Sequence, residues 1–183
     1  GPAPSGTWGS SSSGATFTSD IYFTPGTSGR ITVATGAFTY YSASSGDWNN
    51  PSTWSTVDFL NGTNFGTFPV AGDVVFVGQG IAVTVTADAF CSTLTFDQIT
   101  GATNAVNINS GTTLTVSGLV TIPRNNVSGS NTLAVGTGSL SAGSLSFTNG
   151  GGLGSQQLTV STGTATISGN VAGVGVSSAI TIS

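Results

Sequence analysis

The sequence predicts an all-β protein, a parallel β-helix (solenoid) of about 4–5 coils with an N-terminal β and aromatic cap region. The main observation is a repeated apolar-x-apolar pair, which glycine follows three residues later in the first four copies. The copies are Val75/Val77, Val106/Ile108, Leu133/Val135, Leu158/Val160 and Ile180/Ile182. Their second members are 31, 27, 25 and 22 residues apart, close to the length of one coil. In addition, Ser, Thr, Gly and Asn dominate and no segment has the helical period, which favours short strands joined by turns.

Residues 1–40 are interpreted as an N-terminal arm with short strands. Its low-complexity stretch Gly9–Gly14 is typical of a flexible linker. Strand-like alternation follows at Phe17, Ile21, Phe23, Ile31, Val33 and Phe38, with a Pro- and Gly-containing turn in its middle. We expect a hairpin or a pair of strands here, and this arm is a candidate assembly contact.

Residues 41–72 are interpreted as an aromatic-rich cap. The aromatic group comprises Tyr40, Tyr41, Trp48, Trp54, Phe59, Phe65 and Phe68. We expect these side chains to plug the N-terminal end of the solenoid core, because large aromatics mostly contribute burial.

Residues 73–183 are predicted to form the parallel β-helix, with three strands in each coil. The first strand carries the pairs named above. The second carries Val83/Val85, Leu114/Val116, Leu140/Ala142 and Ala165/Ile167, and the third carries Leu94/Phe96, Val120/Ile122, Leu145/Phe147 and Val171. Alternating side chains would stack as apolar columns inside the tube, with coils about 4.8 Å apart. We expect the glycines between the first and second strands to mark corners with positive φ. We expect the long polar connections after the third strand to gather on one edge.

The charge pattern excludes several classes of function. The chain has no Lys, Glu, His or Met, and its charges are Arg30, Arg124 and six aspartates, for a net charge of −4. Such a chain does not attract nucleic acid or an anionic membrane. No apolar run approaches the ~20 residues that span a bilayer, so no membrane insertion is expected. Low charge with abundant Thr, Ser, Asn and Gly favours an extracellular or bacterial cell-surface location.

Catalytic and metal sites are not predicted. General acid–base catalysis draws on His, Glu, Asp or Lys, and only aspartate is abundant here, never as a close doublet. Asp47, Asn49 and Asn50 offer three oxygen ligands, fewer than the 6–8 that calcium takes. Asp73 is assigned to a turn in which it accepts backbone N–H bonds. Cys91 lies between apolar residues and is expected to be an inert inward thiol. We therefore predict no enzyme, no cofactor and no metal.

Two groups of residues are candidate ligand contacts. Trp48 and Trp54 would stack on a sugar ring if exposed, although burial as a cap is the favoured interpretation. Arg124, Asn125 and Asn126 lie on the predicted loop edge. A separate outward column of hydroxyls, Thr84, Thr115, Ser141 and Thr166, raises ice binding as a further hypothesis, because flat threonine ladders order water. Thr is also a favoured exposed strand residue, which explains the column without ice.

Several segments, in order, resemble a known module. They are Gly46-Asp-Trp48-Asn-Asn-Pro-Ser-Thr-Trp54, Phe68–Val75, Gly80–Val85, Cys91–Phe96 and Gly111–Val116. This series is similar to modules in large adhesin-like surface proteins that Bacteroidota export by type IX secretion. It is more distantly similar to the extracellular domain family named for eight glycines. The resemblance spans roughly residues 41–183 and implies a parallel β-helix, extracellular display, and structural or glycan-related roles.

The leading functional hypothesis is a non-catalytic extracellular module, structural or adhesive, of a bacterial surface adhesin or filament. Its partners would be like subunits in a fibre or homo-oligomer, and surface glycans. The chain stops after Ile180-Thr-Ile182-Ser183 without a visible cap, which predicts either a longer solenoid or cover by another subunit. The alternative hypothesis is a carbohydrate-binding β-helix module, and ice binding is the third.

Overall fold

The structure is a computed structural model that describes residues 36–62, 66–98, 101–149, 152–173 and 178–182. Its strands are β1 (Thr39–Ser42), β2 (Gly46–Asp47), β3 (Trp54–Ser55), β4 (Val74–Val77), β5 (Ala82–Val85), β6 (Ala89–Cys91), β7 (Thr93–Phe96), β8 (Asn104–Ile108), β9 (Thr113–Pro123), β10 (Ser130–Val135), β11 (Ser139–Thr148), β12 (Ser155–Val160), β13 (Thr164–Ile167), β14 (Val171–Gly173) and β15 (Ser178–Ile182). A single 3-10 turn at Pro51–Thr53 is the helical element of the described residues.

The strands stack in parallel as a β-solenoid of about four coils, which confirms the predicted fold class. One sheet has the order β15-β12-β10-β8-β5-β2. The other has the order β13-β11-β9-β7-β4-β1-β3, with β6 and β14 also paired to β9 and β11. The strands β9 and β11 are long because each covers two sides of a coil, with an irregularity between Ala142 and Ser144 where the chain turns. Among the strands that the structure describes, only β3 runs antiparallel to its partner, β1.

The core consists of inward side chains that align in register from coil to coil. One column runs Val83, Val106, Leu133 and Leu158, and a second runs Leu114 and Leu140. A third runs Val75, Leu94, Val120 and Leu145. All of these side chains are buried. Because burying one Val or Leu side chain contributes about 1.5–3 kcal/mol, the stacked columns supply the main stabilisation of the coils.

In the first coil, the strands take different positions from the predicted ones. Val75 and Val77 pair with Tyr40, Leu94 and Phe96, and so belong to the column of the predicted third strand. Val83 and Val85 pair with Val106 and Ile108, and so take the first-strand position. The first spacing of 31 residues therefore joined a pair in the third-strand column, Val75/Val77, to a pair in the first-strand column, Val106/Ile108. The third-strand pair Val75/Val77 has a glycine three residues later, Gly80, and so has the same local pattern as the later first strands. Only the strand pairing distinguishes the two positions.

Glycine is required at the corners for two different physical reasons. Gly111 has φ of 72°, as predicted for a sharp corner. Gly138 lies at the corresponding corner of the next coil, but there a Cβ atom would lie 2.2 Å from the carbonyl oxygen of Asn109. At that corner the close approach of the coil below excludes a side chain, so the predicted positive φ applies to only part of the series.

Aromatic side chains close the N-terminal end of the core. Trp48 and Trp54 are fully buried, with ring centroids 5.0 Å apart at 72°, and Tyr40 packs edge-on against Trp54. Phe68 packs against the same cluster, whereas Tyr41 and Phe59 lie outside it. Strand β1 crosses the predicted boundary between arm and cap at residues 40/41. The predicted strands of residues 1–35, and Phe65, lie outside the described residues.

Candidate functional site

The corner before the first strand of each coil holds a column of buried amide side chains. Asn104 and Asn131 are in register, and Gln156 occupies the same position in β12. Asn104 Nδ2 donates to Asn131 Oδ1 at 2.7 Å, and Asn131 Nδ2 donates to the carbonyl oxygens of Pro123 and Asp97 at 2.7 and 2.9 Å. Asn104 Oδ1 accepts a hydrogen bond from Gly80 N at 2.8 Å. This ladder satisfies backbone groups at the corners, so its role is structural.

Sequence reasoning missed this amide ladder, although a signal was present. Asn104, Asn131 and Gln156 each stand two residues before the first inward apolar residue of a coil, Val106, Leu133 and Leu158. That position is on the inward face of the strand, where an uncharged amide needs a fixed partner.

The loop-edge residues Arg124, Asn125 and Asn126 have three different environments. Arg124 is half-buried and its Nε donates to the Gly154 carbonyl oxygen at 2.9 Å. Asn125 is fully buried, where its Oδ1 accepts from Gly101 N and its Nδ2 donates to Ala102 O, both at 2.9 Å. Asn126 is exposed and its backbone N–H donates to Gln98 O. The first two side chains thus tie neighbouring loops together, and Asn126 is the most exposed of the three.

Trp48 and Trp54 offer no face to a ligand, because both side chains are fully buried. Their polar edges are also occupied. Trp54 Nε1 donates to the Trp48 carbonyl oxygen at 2.7 Å, and Trp48 Nε1 donates to the Pro69 carbonyl oxygen at 3.4 Å. Sugar stacking on these two rings therefore has no geometric basis in this fold.

Asp73 and Cys91 lie at the base of the first coils and are both buried. The Asp73 carboxylate accepts backbone N–H bonds from Phe38 at 2.8 Å and from Val70 at 2.9 Å. The predicted structural use is confirmed, with donors that precede Asp73 in the chain. Burial, and secondarily the Asp73 carboxylate, raise the pKa of the Cys91 thiol to about 12. Cys91 is thus an inert inward thiol at neutral pH, as expected.

The oxygen-rich segment at Asp47 is used for local turns. Asp47 Oδ1 accepts from Asn49 N at 3.0 Å, and Asp47 Oδ2 accepts from Thr86 Oγ1. Asn50 Oδ1 caps the 3-10 turn by accepting from Ser52 N at 3.0 Å. Two of these oxygens therefore serve backbone turns of the cap region, and the third pairs with the Thr86 hydroxyl.

An array of outward hydroxyls covers one side of the solenoid. The residues Thr113, Ser139 and Thr164 are in register, and so are Thr115, Ser141 and Thr166. The predicted column differs at its first position, where Phe90 stands in register with Thr115 and Thr84 belongs to the other sheet. Neighbouring hydroxyls are about 4.8 Å apart between coils and about 6.6 Å apart along a strand.

A groove with an aromatic wall crosses the outward face of β1, β4, β7 and β9. Tyr41 and Phe76 stack with centroids 5.3 Å apart and an interplanar angle of 13°, and Phe59 meets Tyr41 edge-on at 5.2 Å. Beyond Phe76, the in-register positions carry the small side chains Thr95 and Thr121. The resulting groove has a volume of about 450 Å³ and is also lined by Asp97, Gln98, Pro123 and Thr148.

A second depression lies between the last strands and is apolar. It has a volume of about 290 Å³ and is lined mainly by aliphatic residues of β11–β15, including Leu158, Ile167 and Ile180. These are inward positions of the last described strands, where Val171 and Ile180 are 53% and 50% exposed, so this part of the apolar interior is open to solvent.

Comparison of the chain with protein-family models, curated proteins and solved structures gave no match. Within the part of the chain that the structure describes, no helix has the length and apolar character needed to cross a membrane. The case for function therefore rests on the fold, the surface chemistry and the sequence resemblance.

Proposed function

We propose that this chain is a non-catalytic extracellular module, structural and adhesive, of a bacterial surface adhesin or filament, and that it associates with like subunits. The observation that carries the proposal is the in-register outer surface of the solenoid, which presents hydroxyl, amide and small side chains over successive coils. A rigid stack with such columns displays the same contact chemistry along its whole length.

Low charge supports self-association. The full chain carries a net charge of −4, with two cationic residues in 183. Like chains repel one another through their net charge, so a weakly charged surface permits close packing. Export by the type IX route and display at the cell surface are parts of the same proposal, and they derive from the resemblance of residues 41–183 to Bacteroidota adhesin modules.

Electron microscopy of the purified full chain at several concentrations tests self-association. We expect filaments or closed rings whose abundance rises with protein concentration. Isolated particles at every concentration, together with a monomeric mass in sedimentation, would contradict it.

Charge variants locate the packing face. Thr115→Lys with Ser141→Lys places two like charges on the 9-stranded sheet, and Asn107→Lys with Ala134→Lys does so on the 6-stranded sheet. We expect one double variant to lose assembly at low salt and to recover it at high salt, because screening removes the repulsion.

Ice binding is a second candidate function, favoured by the array of Thr113, Thr115, Ser139, Ser141, Thr164 and Thr166. Hydroxyls held at regular spacing order the first layer of water. The test is inhibition of ice recrystallisation, with Thr115→Tyr expected to abolish it by breaking the flat array. Thr159→Tyr on the 6-stranded sheet is the matched control, and equal behaviour of the two variants would count against an ice-binding face.

A further inference from the structure

The groove beside Phe76 exists because side-chain size drops sharply from one coil to the next. Strand β4 lies between β1 and β7, and Tyr41, Phe76 and Thr95 are in register across these three strands. Tyr41 stacks on one face of the Phe76 ring. The opposite face is therefore turned toward Thr95, whose small side chain covers only part of it, and Phe76 is half-buried. Thr121 continues the same row and extends the floor of the groove.

The aromatic wall is held in place by close packing. Phe59 meets Tyr41 edge-on, and the backbone at residue 78 passes directly between Phe59 and Asp97. A Cβ atom on Gly78 would lie 2.4 Å from the Asp97 Cβ atom and 3.0 Å from Phe59 Cε1. Ser42 fixes the same residue, since its Oγ accepts from Gly78 N at 2.9 Å and donates to Gly78 O at 3.2 Å. The wall is thus preformed, which lowers the entropy lost on binding.

Polar groups line the side of the groove that faces the loop edge. Asp97 is half-buried, and its Oδ2 accepts from Gln79 Nε2 at 3.1 Å, which orients the carboxylate. A carboxylate has about four acceptor sites, so the bond from Gln79 does not exhaust the acceptor capacity of Asp97. Gln98 is exposed, and the hydroxyls of Thr95, Thr121 and Thr148 both donate and accept.

This combination fits one class of ligand. A flat apolar ring face packs against the C–H face of a sugar, while a carboxylate, an amide and hydroxyls pair with sugar hydroxyls. Among the groove residues, the one ionised group is an acid and none is a cation. That charge favours hydroxyl donors and disfavours uronates and sialylated glycans.

We propose that the groove formed by Tyr41, Phe59, Phe76, Thr95, Asp97 and Thr121 binds a neutral hexopyranose unit of a glycan, with the sugar stacked on Phe76 and a hydroxyl donated to Asp97. The inference rests on the proposed adhesive function, because it supplies that function with a ligand class. It places the carbohydrate contact on the outward face of the sheet and leaves the buried Trp48 and Trp54 out of it.

The test is titration of the full-length chain with neutral oligosaccharides of four to six units from the cello, manno, xylo and galacto series, followed by isothermal calorimetry. Acidic oligosaccharides from polygalacturonate and alginate are the comparison set. We expect saturable binding of at least one neutral series and no binding of the acidic set. Binding only of acidic oligosaccharides, or of none, would overturn the inference.

A matched pair of variants locates the site. Phe76→Ala removes the aromatic face and is expected to weaken binding about tenfold or more. Phe90→Ala removes an aromatic ring that is 45% exposed on β6, outside the groove, and is expected to leave affinity unchanged. Equal losses in the two variants would overturn the assignment.

NMR of the unsubstituted chain tests the same site without depending on the folding of a variant. On addition of the bound oligosaccharide, the NMR signals of Thr95 and Thr121 are expected to shift, while those of Thr113 and Thr164 stay in place. Shifts confined to the second pair would overturn the groove assignment. Filaments without any glycan binding would refute this inference and leave the assembly proposal standing. Glycan binding by a monodisperse monomer would refute the assembly proposal and leave this inference standing.

Discussion

Asn131 shows how one side chain pairs with polar groups from three parts of the chain, two backbone carbonyls and one side-chain amide. Its amide donates to Asp97 O and Pro123 O, and its carbonyl oxygen accepts from Asn104. We expect Asn131→Ala to lower the free energy of unfolding by about 2–4 kcal/mol, since each buried group left unsatisfied costs about 1–3 kcal/mol. Urea denaturation measures this loss.

Asn107→Ala, at a half-buried outward position on β8, is the control and should cost about 0.5 kcal/mol or less. Similar losses for both would refute the ladder's role.

The buried thiol of Cys91 makes stability depend on alkaline pH. Burial raises the pKa from 9.0 to about 12, so the folded chain holds the proton more tightly than the unfolded chain. The resulting stabilisation is fully present below pH about 9 and is lost as pH rises toward about 12. We expect Cys91→Ala to reduce the fall in unfolding free energy between pH 9 and 11, measured by urea titration at each pH. Burial also raises the pKa of Tyr40. Because both proteins contain Tyr40, its contribution cancels when their pH profiles are compared. Parallel pH profiles would show that the thiol does not titrate as described.

At the scale of the elements, the corner between β10 and β11 depends on the coil beneath it. A Cβ atom on Gly138 would lie 2.2 Å from Asn109 O and 2.8 Å from Thr112 O. We expect Gly138→Ala to destabilise the protein by about 2–3 kcal/mol, because the backbone of two coils must separate. Thermal and urea unfolding measure the loss.

A glycine in the same corner provides the matched control. Gly136 lies two residues earlier, and its nearest contact for an added Cβ is 3.3 Å, to Ile108 O. Gly136→Ala should change stability by about 1 kcal/mol or less, because the neighbouring atom needs to move only slightly. If Gly136→Ala were as harmful as Gly138→Ala, loss of backbone freedom and not coil contact would explain both.

For the whole molecule, stability should vary along the stack because each coil contacts only its neighbours. The inward residues Ala165 and Ile167 of β13 are half-buried, whereas Leu140 and Ala142, their in-register neighbours in β11, are buried. We expect amide hydrogens in β13–β15 to exchange about tenfold or more faster than those in β9 and β11. Hydrogen exchange with mass spectrometry tests this. Uniform protection would indicate one cooperative unit, and protection of β15 that rises with protein concentration would support self-association.

Much of the solenoid was predictable from the sequence, because alternation within a strand is a local property. The inward pairs from Val106 onward were identified correctly, since each coil repeats them at nearly constant spacing. The inert Cys91 and the structural use of Asp73 were also predicted, because burial and neighbouring residue types follow from the local pattern. The amide ladder could also have been predicted from Asn104, Asn131 and Gln156, which stand two residues before the inward pairs, but it was missed.

In the first coil, tertiary structure alone decided which strands share a column and which side chains face out. Tyr40 and Tyr41 are adjacent in sequence, yet the first is buried in the core and the second forms the wall of the groove, because pairing of β1 with β4 sets their phase. Pairing of β4 with β7 puts Val75 and Val77 in another column, and pairing of β6 with β9 puts Phe90 in the place predicted for Thr84 in the hydroxyl array. By itself the sequence determined the alternation of apolar and polar residues, and hence the coiled β architecture. The candidate glycan groove depended on contacts between coils that are distant in the chain, and local alternation carries no information about those contacts.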